Sequence, residues 1–210
     1  MKKAIVLILI IFVFASERAL SQIEINAFTG WVPASKTAYS YNGYRLRIDG
    51  AQDYGGGIGI NTAVGLIEFN YTGFSSTLSQ DGGIIDVVEP QPIKVSYYQF
   101  GVLKTLMEHE KLVPYGMFTL GWSTFNPTED PINASRFSIA LGLGLRYFFS
   151  DAIGIRLQAR LLMPLYFGGV GFGCGVGTGG SSCGGGATFG VEILQGDFTG
   201  GVVFRINPGN

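Results

Sequence analysis

Residues Arg136–Phe148 read RFSIALGLGLRYF. The odd positions are Phe137, Ile139, Leu141, Leu143, Leu145 and Tyr147; the even positions are Arg136, Ser138, Ala140, Gly142, Gly144, Arg146 and Phe148. A β-strand sends alternate side chains to opposite faces. One face of this strand is therefore large and apolar throughout, and the other is small or cationic until Phe148. A polar face that simply meets water has no need of Gly and Ala. A narrow interior that must be filled by side chains does.

The same period of two recurs along the chain. Ile155, Leu157, Ala159, Leu161 and Met163 alternate with Arg156, Gln158 and Arg160; Ile67, Phe69 and Tyr71 alternate with Glu68, Asn70 and Thr72. Phe198, Val202, Phe204 and Ile206 alternate with Thr199, Gly201 and Arg205, and Ile23 and Ile25 with Glu24 and Asn26. Eight runs follow, at about 23–32, 44–61, 65–75, 94–106, 112–124, 135–148, 153–167 and 192–206. Connections around 62–64, 107–111 and 149–152 are short. Those at 33–43, 76–93, 125–134 and 168–191 are long and rich in Gly, Ser, Pro, Asn and Asp, the composition of exposed loops. Strands of about ten alternating residues, with short turns on one side and long loops on the other, mark a transmembrane β-barrel. The expected fold is all-β: a closed antiparallel eight-stranded transmembrane barrel, an up-and-down meander with both termini on the short-turn side. Backbone groups left unpaired in lipid cost several kcal/mol each, so strands cross a membrane only when the sheet closes.

Composition agrees. Of 210 residues 33 are Gly, and only 14% are charged against about 25% in an average domain. High hydrophobicity with low charge excludes intrinsic disorder. A net charge of −1 without a Lys/Arg-rich run argues against nucleic acid as a partner. The Gly has no three-residue period, so collagen is excluded. Trp31, Phe74, Trp122, Phe125, Tyr147, Phe149 and Phe167 fall near strand ends, where aromatic belts are expected.

The N-terminus reads as an address. Lys2 and Lys3 precede the apolar run Ala4–Ala15, and Ala19-Leu20-Ser21 offers small residues before a cut. This is the pattern of a secretory signal peptide over residues 1–21, leaving a barrel of residues 22–210. Twelve apolar residues span about 18 Å as a helix, too short for about 30 Å of hydrocarbon.

The last run, Thr199-Gly200-Gly201-Val202-Val203-Phe204-Arg205-Ile206, carries the most specific local pattern: polar, any residue, Gly, two residues, apolar or aromatic, any residue, apolar. In this strand and over the whole mature length, the chain resembles the small OmpA/OmpX-like outer-membrane β-barrel family. The resemblance implies a cell outer membrane location in a Gram-negative bacterium. It also implies that Thr199, Gly201, Phe204 and Ile206 form the strand read by the barrel-assembly machinery. The tail Asn207–Asn210 departs from members that stop at an aromatic residue.

The expected lumen face carries Asp53, Glu68, Arg146, Arg156, Arg160 and Arg205, with Asp197 and Arg136 as further candidates. Unpaired charges in a narrow lumen are costly, so opposite signs should pair, Glu68 with one of these arginines. The count leans basic, which favours anions if the lumen conducts. Cys174 and Cys183 flank eight residues of a Gly-rich loop, and an exported chain can join them as a disulfide. The single His, His109, lies between Glu108 and Glu110 on an expected periplasmic turn, the wrong end of such a barrel for catalysis through His. No catalytic residue, cofactor or metal is expected. The expected role is structural or surface-interacting, with a plugged lumen and long loops outside; the alternative is a small pore or carrier for polar solutes. Expected partners are outer-membrane lipid and, during biogenesis, the assembly machinery; a monomer is expected, and nothing in the loops names a surface ligand.

Overall fold

Because alternation makes one face of every long run apolar and the other small or polar, the sheet can bury its polar face only by rolling up. The computed structural model shows that it does. It describes residues 22–37, 45–82, 89–107, 111–128, 134–177, 180–191 and 193–206, with the backbone alone for 166–177 and 180–190. The strands are β1 (Ile23–Val32), β2 (Ser35–Lys36), β3 (Arg45–Ile48), β4 (Ala51–Thr62), β5 (Gly65–Asp81) and β6 (Gln91–Thr105). They continue with β7 (Leu112–Pro127), β8 (Ala134–Phe148), β9 (Ile153–Gly177), β10 (Gly180–Val191) and β11 (Gln195–Ile206). Pairing is antiparallel throughout and runs β1–β4–β5–β6–β7–β8–β9–β11, with β11 returning to β1. This is a closed eight-stranded meander. Ile23 stands opposite Ile206 and Trp31 opposite Phe198 at the closing seam.

The short turns lie at the end that holds the first residues of β1 and the last of β11. The tightest joins β4 to β5 through Ala63 and Val64; Gly65 there has φ +133°, a conformation that favours Gly. At the opposite end the strands run further than the sequence suggested. The run at 44–61 breaks at Asp49-Gly50 into β3 and β4, and the expected loop 33–43 contains β2. β5 continues to Asp81, into the expected loop 76–93. Within the expected loop 168–191, β9 and β10 pair antiparallel with Cys174 opposite Cys183. Gly, Ser and Thr signalled a loop there, but cross-strand backbone pairing asks for no particular side chain. The difference between the two ends therefore lies in strand extension more than in loop length.

Facing follows the alternation. Phe100, Leu143 and Phe198 point outward at 58%, 65% and 57% exposure, while Glu68, Asn70, Thr119, Ser138 and Arg156 are buried inside. Two of the expected belt aromatics are not on the outside: Phe74 is fully buried and Phe125 packs against the same internal cluster. Both keep the parity of their strands, Phe74 following Glu68, Asn70 and Thr72, and Phe125 following Thr119, Gly121 and Ser123. Nearness to a strand end was a poorer guide than parity. Trp31, Trp122, Tyr147 and Phe149 are exposed, and the side chain of Phe167 lies outside the described residues.

Parity persists along β5 and β6, but the chemistry on each face inverts. Toward the short-turn end β6 shows Tyr98, Phe100 and Val102 outward, with Gln99 and Gly101 inward. Toward the far end it shows Pro92 and Lys94 outward, with Ile93 and Val95 buried inward. β5 changes in step, from Ile67 and Phe69 outside over Glu68 and Asn70 to Ser75 and Thr77 outside over Phe74 and Leu78. Along β5 and β6 the barrel thus has two tiers, a lower one apolar outside and mainly polar inside, with Leu66 and Leu103 buried inward at its foot, and an outer one with the reverse arrangement.

Candidate functional site

The lower tier encloses a network of charges. Glu24, on the inward face of β1, binds two arginines: Arg146 of β8 donates at 2.8 Å, and Arg205 of β11 donates through Nε at 3.2 Å and Nη2 at 3.1 Å. Glu68 of β5 accepts a two-pronged contact from Arg156 of β9, at 2.6 and 3.1 Å. It also accepts hydrogen bonds from Asn26 and Asn70. Arg160 pairs with Asp197 and donates to Thr72 at 2.9 Å. Asp53 is fully buried beside Asp197 and Arg160. Forked contacts fix a guanidinium in orientation as well as position, which a lysine could not do.

Glycines make room for the rings on which these arginines rest. A Cβ on Gly144 would lie 2.3 Å from the Tyr115 ring. Arg146 and Arg156 sit over that ring at 5.3 and 5.2 Å, and Arg156 also donates to the Tyr115 hydroxyl at 2.8 Å. A Cβ on Gly55 would lie 2.5 Å from the Phe28 ring, which carries Arg160 at 5.1 Å. Arg205 lies 3.7 Å from the centre of Phe148, the one large apolar residue on that face of β8. Cation–π contact with a partly desolvated ring contributes about 1–2 kcal/mol. Lumenal Gly and lumenal aromatic are thus two halves of one arrangement.

Apolar clusters lie on either side of the charges. Leu66, Leu103, Tyr115 and Met117 form one. The other includes Val32, Ile48, Phe74, Ile93, Val95 and Tyr97; within it Tyr97 donates to Gln195, which donates to Ser35 at 3.1 Å. Gln195 stands two residues from Asp197 on β11, so this hydrogen-bonded layer separates the charges from the outer tier.

All six lumen residues expected from sequence, with Asp197, are inside; Glu68, Arg146, Arg156, Arg160 and Arg205 are ion-paired, and Asp53 lies beside Asp197 and Arg160 outside those pairs. Arg136 sits partly exposed at the far end of β8, where it donates to the Ser135 carbonyl. Glu24 belongs to the alternation of the first run but is not among the lumen charges expected from sequence. Its signal was available: closing a meander pairs its first and last strands, which puts Glu24 opposite Arg205. With Glu24 and Asp197 counted, four acids face four arginines. The expected basic excess, and the anion preference drawn from it, does not hold for the described interior.

Thr199 is buried, while Phe204 and Ile206 point outward on the closing strand. His109, the segment 1–21 and the tail 207–210 lie outside the described residues. Among the described residues no three His, Cys, Asp or Glu side chains gather as a metal site would require.

Neither a protein-family model nor a curated protein sequence matches the chain. Solved structures do. The outer membrane protein OprG of Pseudomonas aeruginosa superposes with a TM-score of 0.61 at 13% identity, over 89% of this chain and 96% of that one. Ail, the attachment invasion locus protein of Yersinia pestis, superposes with a TM-score of 0.50 at 11% identity, over 89% of this chain and 99% of that one. At such identities the likeness is one of fold: this chain has the architecture of small outer-membrane β-barrels.

Proposed function

We propose that this chain is an integral protein of the outer membrane of a Gram-negative bacterium, of the OmpA/OmpX-like kind. On this reading its lumen is plugged, and its role is structural or one of surface interaction rather than catalysis. Residues 1–21 direct export and are removed; Thr199, Gly201, Phe204 and Ile206 present the closing strand to the assembly machinery; the outer tier faces the surroundings of the cell. The observation that carries the reading is the lower tier itself. Its exposed band of Ile, Leu, Phe and Trp has no use in water, and large exposed apolar areas mark contact with lipid or protein. Its interior charges are matched and span the lumen between strands distant in sequence, as in Glu24 with Arg146 and Glu68 with Arg156. An eight-stranded lumen is just wide enough for side chains to fill.

The test is reconstitution in a planar bilayer after refolding, with heat-modifiable gel migration as the check of the folded barrel. A folded barrel without unitary conductance supports the plugged reading. Reproducible single-channel steps would replace it with the pore or carrier, and failure to insert in bilayers would overturn the membrane assignment.

A further inference from the structure

The outer tier holds a partly open apolar cavity of about 180 Å³ between β3, β5, β6, β7, the first residue of β8 and the bridge of Thr37 to Ile193. Ile48, Leu78, Ile93, Phe125, Ala134 and Ile193 line it. The polar side chain on its wall, Thr37, already accepts a hydrogen bond from the Leu46 amide at 3.1 Å. None of the paired arginines or acids is in its lining, and Tyr97, hydrogen-bonded to Gln195, stands edge-on to Phe125 of its wall.

We infer that this chamber is a binding site for a small apolar molecule, a single unsubstituted ring or a short hydrocarbon. Three observations lead there. The inversion of the two faces puts polar residues outside and apolar residues inside at this level of the barrel, so the tier holds an apolar interior of its own, in surroundings where its outer face is polar. Among the described residues that interior is not filled, whereas native cores leave few voids larger than a water molecule and voids forfeit packing contacts. The size is that of a ligand, since a cavity of about 150 Å³ lined by Leu, Ile and Phe stays dry and takes up benzene. The same chemistry sets the selectivity. A hydroxyl or charge entering such a chamber would leave its water hydrogen bonds behind and find none in return.

The site depends on the closed barrel and not on where the barrel resides, so its test is separable from that of the proposed function. Fluorobenzene is titrated into the full chain in lipid nanodiscs and followed by ¹⁹F NMR, with empty nanodiscs as the blank. A saturable bound resonance, absent from the blank and not displaced by excess phenol, is expected. Ala134→Phe and Leu78→Phe, each filling the chamber from a different strand, should weaken binding at least tenfold, while Leu143→Ala on the outer face should leave it unchanged. Heat-modifiable migration identifies any filled variant that has not folded, and the other then decides. Linear, unsaturable uptake equal to the blank would overturn the inference. So would undiminished binding in a folded filled variant, or equal competition by phenol.

Discussion

Replacing Glu68 with Gln tests the charged network where it is most tightly built. Glu68 and Arg156 are both buried, at 0% and 2% side-chain exposure, and meet at 2.6 and 3.1 Å. Gln keeps the shape and one acceptor oxygen but removes the charge and turns an amide N–H₂ toward the guanidinium. Arg156 stays protonated, since arginine does not release its proton in proteins. Its contacts with Tyr115 at 2.8 Å and Gln158 at 3.0 Å remain, but neither partner carries charge. Breaking a buried pair from one side costs about 3–5 kcal/mol, whereas exchanging both partners for apolar residues of like volume is near neutral or stabilising. Glu68→Gln should therefore destabilise by about 3–5 kcal/mol, and Glu68→Met with Arg156→Met by much less than the two single changes together. The assay is urea unfolding from lipid vesicles followed by tryptophan fluorescence, for which Trp31 and Trp122 on the outer face report loss of lipid contact. A cost below about 1 kcal/mol for the single variant, or additivity in the double, would refute the view that the lumen is held by matched charge.

Other expectations are narrower. Gly144→Val should cost about 1–3 kcal/mol by driving into the Tyr115 ring, while Gly116→Val, whose Cβ would meet only Leu side chains at 3.8 Å, should be close to neutral in the same unfolding measurement. Leu143→Arg, on the outward face of the lower tier, should cost about 2–4 kcal/mol in a bilayer if that level lies at the midplane; a neutral result would place it elsewhere. Cys174 and Cys183 should resist thiol reagents in oxidised protein until reduced: directly opposed residues of an antiparallel pair have Cα atoms about 4.5–5.5 Å apart, within the range of a disulfide. In the outer tier the Lys36 ammonium, hydrogen-bonded at 2.7 Å, holds the Asp81 carboxyl below its ordinary value, with Arg47 and Arg45 adding to the effect. The contact between β2 and β5 is then fully present above the ordinary carboxylate range and lost as pH falls through the lowered value. Carboxyl-carbon NMR titration should show Asp81 returning upward in Lys36→Met.

What was legible in the sequence was parity, and what was not was distance. A period of two assigns each side chain to a face without knowledge of its neighbours. That is why Arg156 and Glu68 could be placed inside from their own strands alone. The pairing of Glu24 with Arg146 joins residues 122 positions apart across the lumen, and nothing local in either strand encodes it. Chemistry by itself misleads where the surroundings change. Phe74 and Phe125 look like interfacial aromatics if an apolar residue must face outward, but that rule holds only while the outside is apolar. Past the middle of β5 and β6 the outward positions become Ser75, Thr77, Pro92 and Lys94, and the apolar residues turn in without any break in parity. The level at which the faces exchange character marks where an apolar medium outside the barrel would end. It is also where the interior changes from charges matched across a narrow space to an apolar chamber, so one change of surroundings accounts for the misplaced aromatics and for the cavity.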